Sequence, residues 1–320
     1  MIRTVFFGTP DFAVTCLEAL HCDSEIDVVA VVTAPDKPSG RGQQLHSSAV
    51  AQFARSQGLP LLQPERLRDP EFLEALQGCA ADVFTVVAFR MLPEVVWAMP
   101  PKGSLNIHGS LLPDLRGAAP IQWSLAHGDT ATGLTAFSLN HEIDEGPLLD
   151  SVTLQVDVNE PLGSLYERMA REGAALAVRT LHQLERGTLT PRAQSSAEKA
   201  RMAPKLTAEF AQLERLLDGW SVHNRIRACD PFPGASIPAP GEPGQRFKVF
   251  GATWTPSTSA KDGDEIHYVI DNESFKITSA QGISEISAVQ WPGKRRMPVG
   301  DFLRGSRLRG RFTLSGQKID

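Results

Sequence analysis

Three side chains that together can support acyl transfer to an amine lie in two short segments. Asn106 and His108 are two positions apart, and Asp144 begins an Asp-Glu-Gly turn farther along the chain. In an extended segment, residues two apart share a face. An amide N–H can donate to a carbonyl oxygen that gains charge, an imidazole can relay a proton near neutral pH, and a carboxylate can orient the imidazole. No serine or cysteine nucleophile is needed if the amine attacks directly.

Each of these residue types is also common in ordinary loops. An Asp before Glu-Gly is typical of a turn, and an isolated Asn or His often caps a helix or turn. The prediction of a catalytic site therefore depends on elements that bring the two segments together.

The first part of the chain alternates apolar runs with helical patterns, which predicts a parallel sheet with helices on both faces. The predicted strands are residues 4–7, 28–33, 83–88, 103–107 and 134–139, with an edge hairpin at 148–156. The predicted helices are residues 12–20, 48–57, 70–77, 119–126 and 161–186. In such sheets a ligand binds at the carboxyl ends of the strands, where we expect Phe89, Asn106, His108 and Asp144 to meet.

The later part of the chain changes character after residue 187. A polar segment without periodicity predicts a linker, followed by helical patterns at 208–217 and 221–228. Short β-like pieces then recur at 236–237, 245–253, 265–270, 275–278 and 283–290, which predicts a small β-barrel. The predicted fold class is α/β: a Rossmann-like parallel-sheet domain over residues 1–187, a linker over 188–207, and a C-terminal OB-like β-barrel domain over 208–320.

Composition limits the class of protein. The 320 residues, 42% hydrophobic and 22% charged, indicate two globular domains of ordinary size. The longest apolar runs fall far short of the ~20 residues that span a bilayer, and no leader precedes the first predicted strand. We therefore expect a cytoplasmic protein with no membrane partner. The four cysteines form no CxxC pair, so neither disulfides nor a metal site is expected.

The glycine turn after the first predicted strand is a candidate dinucleotide site. Gly8-Thr9-Pro10 lacks the second glycine that lets the backbone approach a pyrophosphate. NAD binding is therefore not expected.

The segment around His108 resembles a known family. Asn-Ile-His-Gly-Ser-Leu-Leu-Pro over residues 106–113, Arg-Gly-Ala-Ala-Pro-Ile-Gln over 116–122 and Ile-Asp-Glu-Gly over 143–146 resemble the folate-dependent formyltransferases. The resemblance implies that Asn106, His108 and Asp144 are the catalytic residues and that 10-formyltetrahydrofolate is the donor. The residues implied in the donor pocket are Phe89, Ser110, Leu111, Leu112 and Pro113.

Other segments indicate the acceptor. Residues 4–13, the Pro-Asp-Lys-Pro-Ser-Gly-Arg-Gly loop over 35–42, residues 203–206 and residues 226–235 are similar to members that formylate the methionine of initiator tRNA. The resemblance implies initiator Met-tRNA as partner, contacted by Lys37, Arg41 and Lys205, and we expect a monomer. The net charge of −5 opposes a nucleic-acid partner. A local cluster of basic residues can nevertheless attract phosphates. It consists of Lys294, Arg295, Arg296, Arg304, Arg307, Arg309 and Arg311.

Three departures from the family pattern leave alternatives open. Phe89-Arg90 stands where Tyr-Gly is frequent, Asp114-Leu115 where Arg-Trp is frequent, and Trp123 where Arg is common. The last two remove positive charge, on which tRNA binding relies. The alternatives are an N-formyltransferase for a small amine such as an amino sugar, a binding protein without turnover, and an enzyme that hydrolyses the donor.

Overall fold

A computed structural model describes residues 1–39, 44–195, 200–257 and 265–319 of the chain. The chain divides into two compact units. The first unit comprises Met1–Gly117, Thr132–Leu154 and Tyr166–Ala203. The second comprises Ala118–Ala131, Gln155–Leu165 and Pro204–Asp320.

Strands and helices alternate through the first half of the chain. The strands are β1 (Ile2–Gly8), β2 (Ile26–Val32), β3 (Lys37–Ser39), β4 (Gln44–His46), β5 (Leu61–Leu62), β6 (Val83–Val87), β7 (Ser104–His108), β8 (Ala131–Ser138) and β9 (Leu148–Gln155). The helices are α1 (Asp11–Cys22), α2 (Ala49–Ser56), α3 (Pro70–Gly78), α4 (Glu94–Trp97), α5 (Pro120–His127) and α6 (Leu162–Glu185).

Seven of the described strands form the sheet of the first unit, in the order β5-β2-β1-β6-β7-β8-β9. The pairs from β5 to β7 are parallel, and β8 runs antiparallel to β7. All five residues of β6 are buried, as expected for a central parallel strand covered on both faces. Gly8 permits the close turn into α1, because a Cβ there would lie 2.6 Å from the Ala13 Cβ.

Every strand and helix predicted before residue 140 overlaps an observed one. The predicted edge hairpin at 148–156 is wrong. The chain reverses earlier, in the loop 139–147, and β9 is a single edge strand beside β8. The loop that joins these two strands carries Asp144.

The second unit contains a second sheet. Its strands are β10 (Ala235–Pro238), β11 (Arg246–Pro256), β12 (His267–Ile270), β13 (Phe275–Ser279), β14 (Gly282–Gln290), β15 (Met297–Pro298), β16 (Gly310–Thr313) and β17 (Lys318–Ile319). The eight described strands pair antiparallel in the order β10-β11-β14-β13-β12-β16-β17, with β15 on β14. Its helices are α7 (Gly219–Ala228) and α8 (Val299–Gly305). Aromatic rings fill its core, and the rings of Tyr268 and Phe312 stack at 5.1 Å. The predicted fold class, a Rossmann-like α/β domain followed by an OB-like β domain, is confirmed.

The predicted helix at 208–217 is wrong. Two 3₁₀ turns, Ala208–Ala211 and Leu213–Arg215, occupy this segment. Gln212 between them is extended and forms a bridge with Ser236. This pairing with β10 interrupts any continuous helix. Across the described residues, no helix combines the length and apolarity needed to cross a membrane.

Candidate active site

His108 is the last residue of β7, and Asn106 lies two positions before it, so both are at the carboxyl end of the strand. Asn106 is in register with Val86 of β6 and with Phe137 of β8. Since β7 is extended, the side chains of Asn106 and His108 project from the same face, as the sequence predicts. Asn106 is half-buried, and its side-chain amide makes no hydrogen bond to another residue in the described part of the chain. The amide N–H is therefore available to a ligand.

The His108 imidazole is buried between two acceptors. Its Nε2 lies 3.0 Å from the carbonyl oxygen of Leu115, and its Nδ1 lies 3.8 Å from Oδ2 of Asp144. A carbonyl oxygen only accepts hydrogen bonds, so Nε2 carries the proton of the neutral ring. The Nδ1 lone pair then faces the carboxylate. At 3.8 Å this is a charge contact once the ring is protonated, and it is longer than a hydrogen bond.

Asp144 is fixed at both its backbone and its carboxylate. It adopts a positive φ of 55°, and its Oδ2 accepts a hydrogen bond of 2.9 Å from the Gly117 N–H. Gly117 has φ 120°, and a Cβ at this position would lie 2.6 Å from the carbonyl oxygen of Ala203. Glycine is thus required where the Arg-Gly-Ala-Ala-Pro segment passes the carboxylate.

The segment after His108 is held by β8 and by its own hydroxyl. The Thr135 hydroxyl donates to the carbonyl oxygen of Ser110 at 2.7 Å and accepts from the Leu112 N–H at 3.1 Å. The Ser110 hydroxyl donates to the carbonyl oxygen of Asp114 at 2.5 Å. Ser110 and Leu112 are buried, and Leu111 and Pro113 are half-buried. The structure therefore places these four residues beside His108.

Phe89 follows β6 and lies at the carboxyl end of the strands, as His108 of β7 does. Its ring packs edge-on against Phe7 at 5.6 Å. Arg90 donates two hydrogen bonds, to the carbonyl oxygens of Pro64 and Glu65 at 2.5 and 2.9 Å. The cation at position 90 therefore anchors a neighbouring loop, which accounts for this departure from the family pattern.

The other two departures also have structural partners. The Asp114 carboxylate accepts hydrogen bonds from both the backbone and the guanidinium of Arg201. Burial raises the pKa of Asp114, but the bonds from Arg201 outweigh burial, and the pKa lies below its usual value. Trp123, in the second unit, donates its indole N–H to the carbonyl oxygen of Pro204 at 2.8 Å and packs on Phe210 at 4.9 Å. Trp123 is thus a packing residue of that unit.

Two of the three predicted tRNA contacts, Lys37 and Lys205, lie among the described residues. Lys37 is exposed at the start of β3, and Lys205 is exposed in the second unit. Arg41 lies outside the described residues. Within the basic cluster, Arg296 pairs with Asp230 at 2.7 Å and Arg304 pairs with Asp301.

Two residues at the site, Arg116 and Gln194, were not predicted from the sequence as site residues. Arg116 is 6% exposed, and its guanidinium pairs with Glu145 at 2.6 Å and donates to Oε1 of Gln194 at 2.6 Å. The Arg-Gly motif marks Arg116. Gln194 comes from the polar segment predicted as a linker, where no pattern distinguishes it.

Cavities and clusters of metal-ligating side chains are two other kinds of candidate site. A cavity of about 260 Å³ lies at the amino ends of β6 and β7, where Val83 and Ser104 line it with Lys102. The cavity therefore lies at the opposite end of the strands from His108. No group of three potential metal ligands occurs in the part of the chain that the structure describes.

Comparisons with known proteins identify the family and agree with the fold. Residues 2–181 match the family model described as formyl transferase, and residues 205–307 match its C-terminal domain. The chain is 38% identical over 321 residues to the methionyl-tRNA formyltransferase of Bacteroides fragilis, covering 98% of both chains. It is 39% identical to that of Porphyromonas gingivalis, covering 96% of both.

Solved structures share the fold at lower identity. An N-formyltransferase from Helicobacter canadensis, in complex with folinic acid and dTDP-3-aminofucose, has a TM-score of 0.62 and 17% identity. The match covers 93% of this chain and 100% of that one. WlaRD, a sugar 3N-formyl transferase, has a TM-score of 0.64 and 16% identity, covering 92% and 99% of the two chains. From the family models and the near full-length relatives, the chain belongs to the formyl transferase family.

Proposed function

We propose that this protein transfers the formyl group of 10-formyltetrahydrofolate to the α-amine of methionine carried by initiator tRNA. The observation that carries the proposal is the 38% identity to a methionyl-tRNA formyltransferase over 98% of both chains. A match of that extent spans nearly the full length of both units. The sugar-modifying structures share less than half of that identity.

The donor site is proposed at the carboxyl ends of β6 and β7. Phe89 offers an apolar ring, and residues 110–113 and 143–146 form the adjacent loops. Folate ligands in the structures of WlaRD and of the Helicobacter canadensis enzyme support a folate donor. The donor supplies a formyl group already activated on nitrogen, so the protein has to position and polarise it.

Asn106 and His108 have different roles in the transfer. The amide N–H of Asn106 donates to the formyl oxygen as negative charge develops on it. The amine forms a bond to the formyl carbon and loses a proton, and His108 accepts this proton at Nδ1, because its Nε2 is bonded to the carbonyl oxygen of Leu115. Breaking the bond from the formyl carbon to the folate nitrogen then leaves that nitrogen to take up a proton, which His108 can return.

Asp144 contributes when His108 becomes charged. In the neutral ring the Nδ1 lone pair faces the carboxylate at 3.8 Å, an unfavourable approach. Protonation of Nδ1 converts this approach into an ion pair in a buried setting, where charge interactions are strong. A free α-amine titrates near pH ~8, so near neutral pH the base has only a modest task.

The test is formyl transfer from 10-formyltetrahydrofolate to charged initiator Met-tRNA. Elongator Met-tRNA and a dTDP-linked amino sugar serve as competing acceptors. Transfer to the initiator alone supports the proposal. Transfer to the amino sugar, with neither tRNA formylated, would assign the protein to small amines, and consumption of donor without any acceptor would indicate hydrolysis.

A further inference from the structure

The side-chain amide of Gln194 joins the Asp144 loop to a buried arginine. Its Nε2 donates to the carbonyl oxygens of Asp144 and Gly146 at 2.8 and 2.9 Å. Its Oε1 accepts from Nη2 and Nε of Arg116 at 2.6 and 3.3 Å. A glutamine amide has two N–H donors and two acceptor sites. All four are used here.

The orientation of this amide is determined by its neighbours. A guanidinium has donors only, so the oxygen of the Gln194 amide must face Arg116. Arg116 is itself fixed by burial and by its ion pair with Glu145. The Nε2 group is therefore directed at the two carbonyl oxygens.

The loop that Gln194 holds has a backbone conformation that needs support. Asp144 has φ 55°, a region that non-glycine residues seldom adopt and that surrounding structure must stabilise. Gln194 bonds the carbonyl oxygens of Asp144 and Gly146, while the Gly117 N–H bonds the carboxylate. The two sets of bonds fix the main chain and the side chain of Asp144 independently.

We propose that Gln194 is a positioning residue for formyl transfer, which holds the Asp144 carboxylate against His108 by bonding the main chain of the Asp144 loop. This inference rests on the catalytic roles proposed above for Asp144 and His108. The hydrogen bonds of Gln194 go to Arg116 and to the main chain of the Asp144 loop, so it acts through Asp144. A misplacement of about 1 Å in a catalytic group is enough to lower a rate substantially.

Steady-state kinetics of Gln194→Ala provide the first test. We expect kcat to fall about 10- to 100-fold, because the Asp144 carboxylate is no longer held against His108 by the bonds to its loop. Gln194→Glu keeps an oxygen toward Arg116 but has no N–H to donate to the two carbonyl oxygens. We therefore expect its kcat to fall as far as that of Gln194→Ala. The control is Gln77→Ala, an exposed glutamine of α3. A wild-type kcat in Gln194→Glu overturns the proposal.

A double-mutant cycle separates positioning from a general structural effect. If Gln194 acts through Asp144, adding Gln194→Ala to Asp144→Asn lowers kcat by less than about twofold more. If Gln194→Ala lowers kcat as much in the Asp144→Asn background as in the wild type, Gln194 acts elsewhere and the proposal is wrong.

Hydrogen exchange of the Gly117 amide gives a readout that needs no acceptor. This N–H is protected by the Asp144 carboxylate. Gln194→Ala should speed its exchange about fivefold or more, since a net hydrogen bond contributes about 1 kcal/mol. Unchanged exchange overturns the proposal. If the wild-type protein formylates no tRNA, the proposed function fails, while this measurement still decides the role of Gln194.

Discussion

Arg201 bonds Asp114 through both its main chain and its guanidinium. The Arg201 N–H donates to Oδ1 at 2.8 Å, and Nε lies 3.1 Å from Oδ2. Asp114 stands where an arginine is frequent in the family, so the sequence alone predicts that its negative charge weakens an RNA site. The structure compensates this charge with a cation supplied from 87 residues farther along the chain. Asp114 therefore argues less against a tRNA acceptor than its charge alone indicates.

Replacing Arg201 should destabilise the protein slightly, in a pH-dependent way. Because Arg201 lowers the pKa of Asp114 in the folded state, its contribution is present at pH 7 and is lost as pH falls below the usual aspartate range. Both side chains are over one-third exposed, so we expect about 1 kcal/mol or less for Arg201→Ala. Urea denaturation at pH 7 and pH 3 measures this. Equal differences at both pH values would contradict it, and Arg186→Ala, at a more exposed pair with Glu25, is the control.

Replacing His108 should abolish most of the turnover. We expect His108→Ala to lower kcat about 100-fold or more, because the group proposed to accept the amine proton is removed. Single-turnover formylation of Met-tRNA measures the effect. His21→Ala, at a histidine in the last turn of α1, serves as control. A His108→Ala rate equal to that of the wild type would refute the assignment.

His223 should make the second unit sensitive to mild acid. Burial lowers its pKa from 6.5 to about 4, despite a 2.8 Å bond to the Val158 carbonyl. The unfolded state therefore binds more protons between these values, and stability falls as pH drops from about 6.5 to 4, by up to about 3 kcal/mol. Denaturation followed by the fluorescence of Trp220 and Trp254, which pack on His223, reports this. We expect His223→Gln to remove most of that pH dependence, and an unchanged slope would contradict the attribution.

Replacing Arg41 should weaken the use of Met-tRNA and leave the use of the folate donor unchanged. We expect Arg41→Ala to raise the KM for Met-tRNA about tenfold, as for loss of a contact of about 1.4 kcal/mol, and to leave the donor KM unchanged. The hypothesis rests on the family resemblance of the loop over residues 35–42. Arg171→Ala, at an exposed arginine of α6, is the matched control. Equal tRNA kinetics in the two variants would exclude this role.

Much of the site was predictable because local patterns carry it. The spacing of Asn106 and His108 indicates one face of a strand, and the parallel sheet brings Phe89 to the same edge. Asp144 joins them because β8 is the neighbour of β7 and its loop returns toward His108. The alternation of apolar runs indicates the strands, but it indicates neither their order nor the antiparallel pairing of β7 with β8 that brings Asp144 to His108.

The rest depended on contacts that no local pattern encodes. Gln194 lies in a polar segment without periodicity, and its partners are 48 to 78 residues away. α8 was missed because its short buried stripe, Val299, Phe302 and Leu303, lies among basic residues. The helix predicted at 208–217 fails for a similar reason, since pairing of Gln212 with Ser236 overrides local propensity.

The chain after α6, as far as Ala203, belongs to the first unit and bonds two loops of that unit and the first residue of β9. Arg192 pairs with Leu148, Gln194 with the Asp144 loop, Arg201 with Asp114 and Leu115, and Ala203 with Arg116. A fragment that ends with the last turn of α6 would therefore contain Asn106, His108 and Asp144 but lack the backbone partners of their loops. Any shortened form intended for crystallography or protein engineering should retain the chain through Ala203.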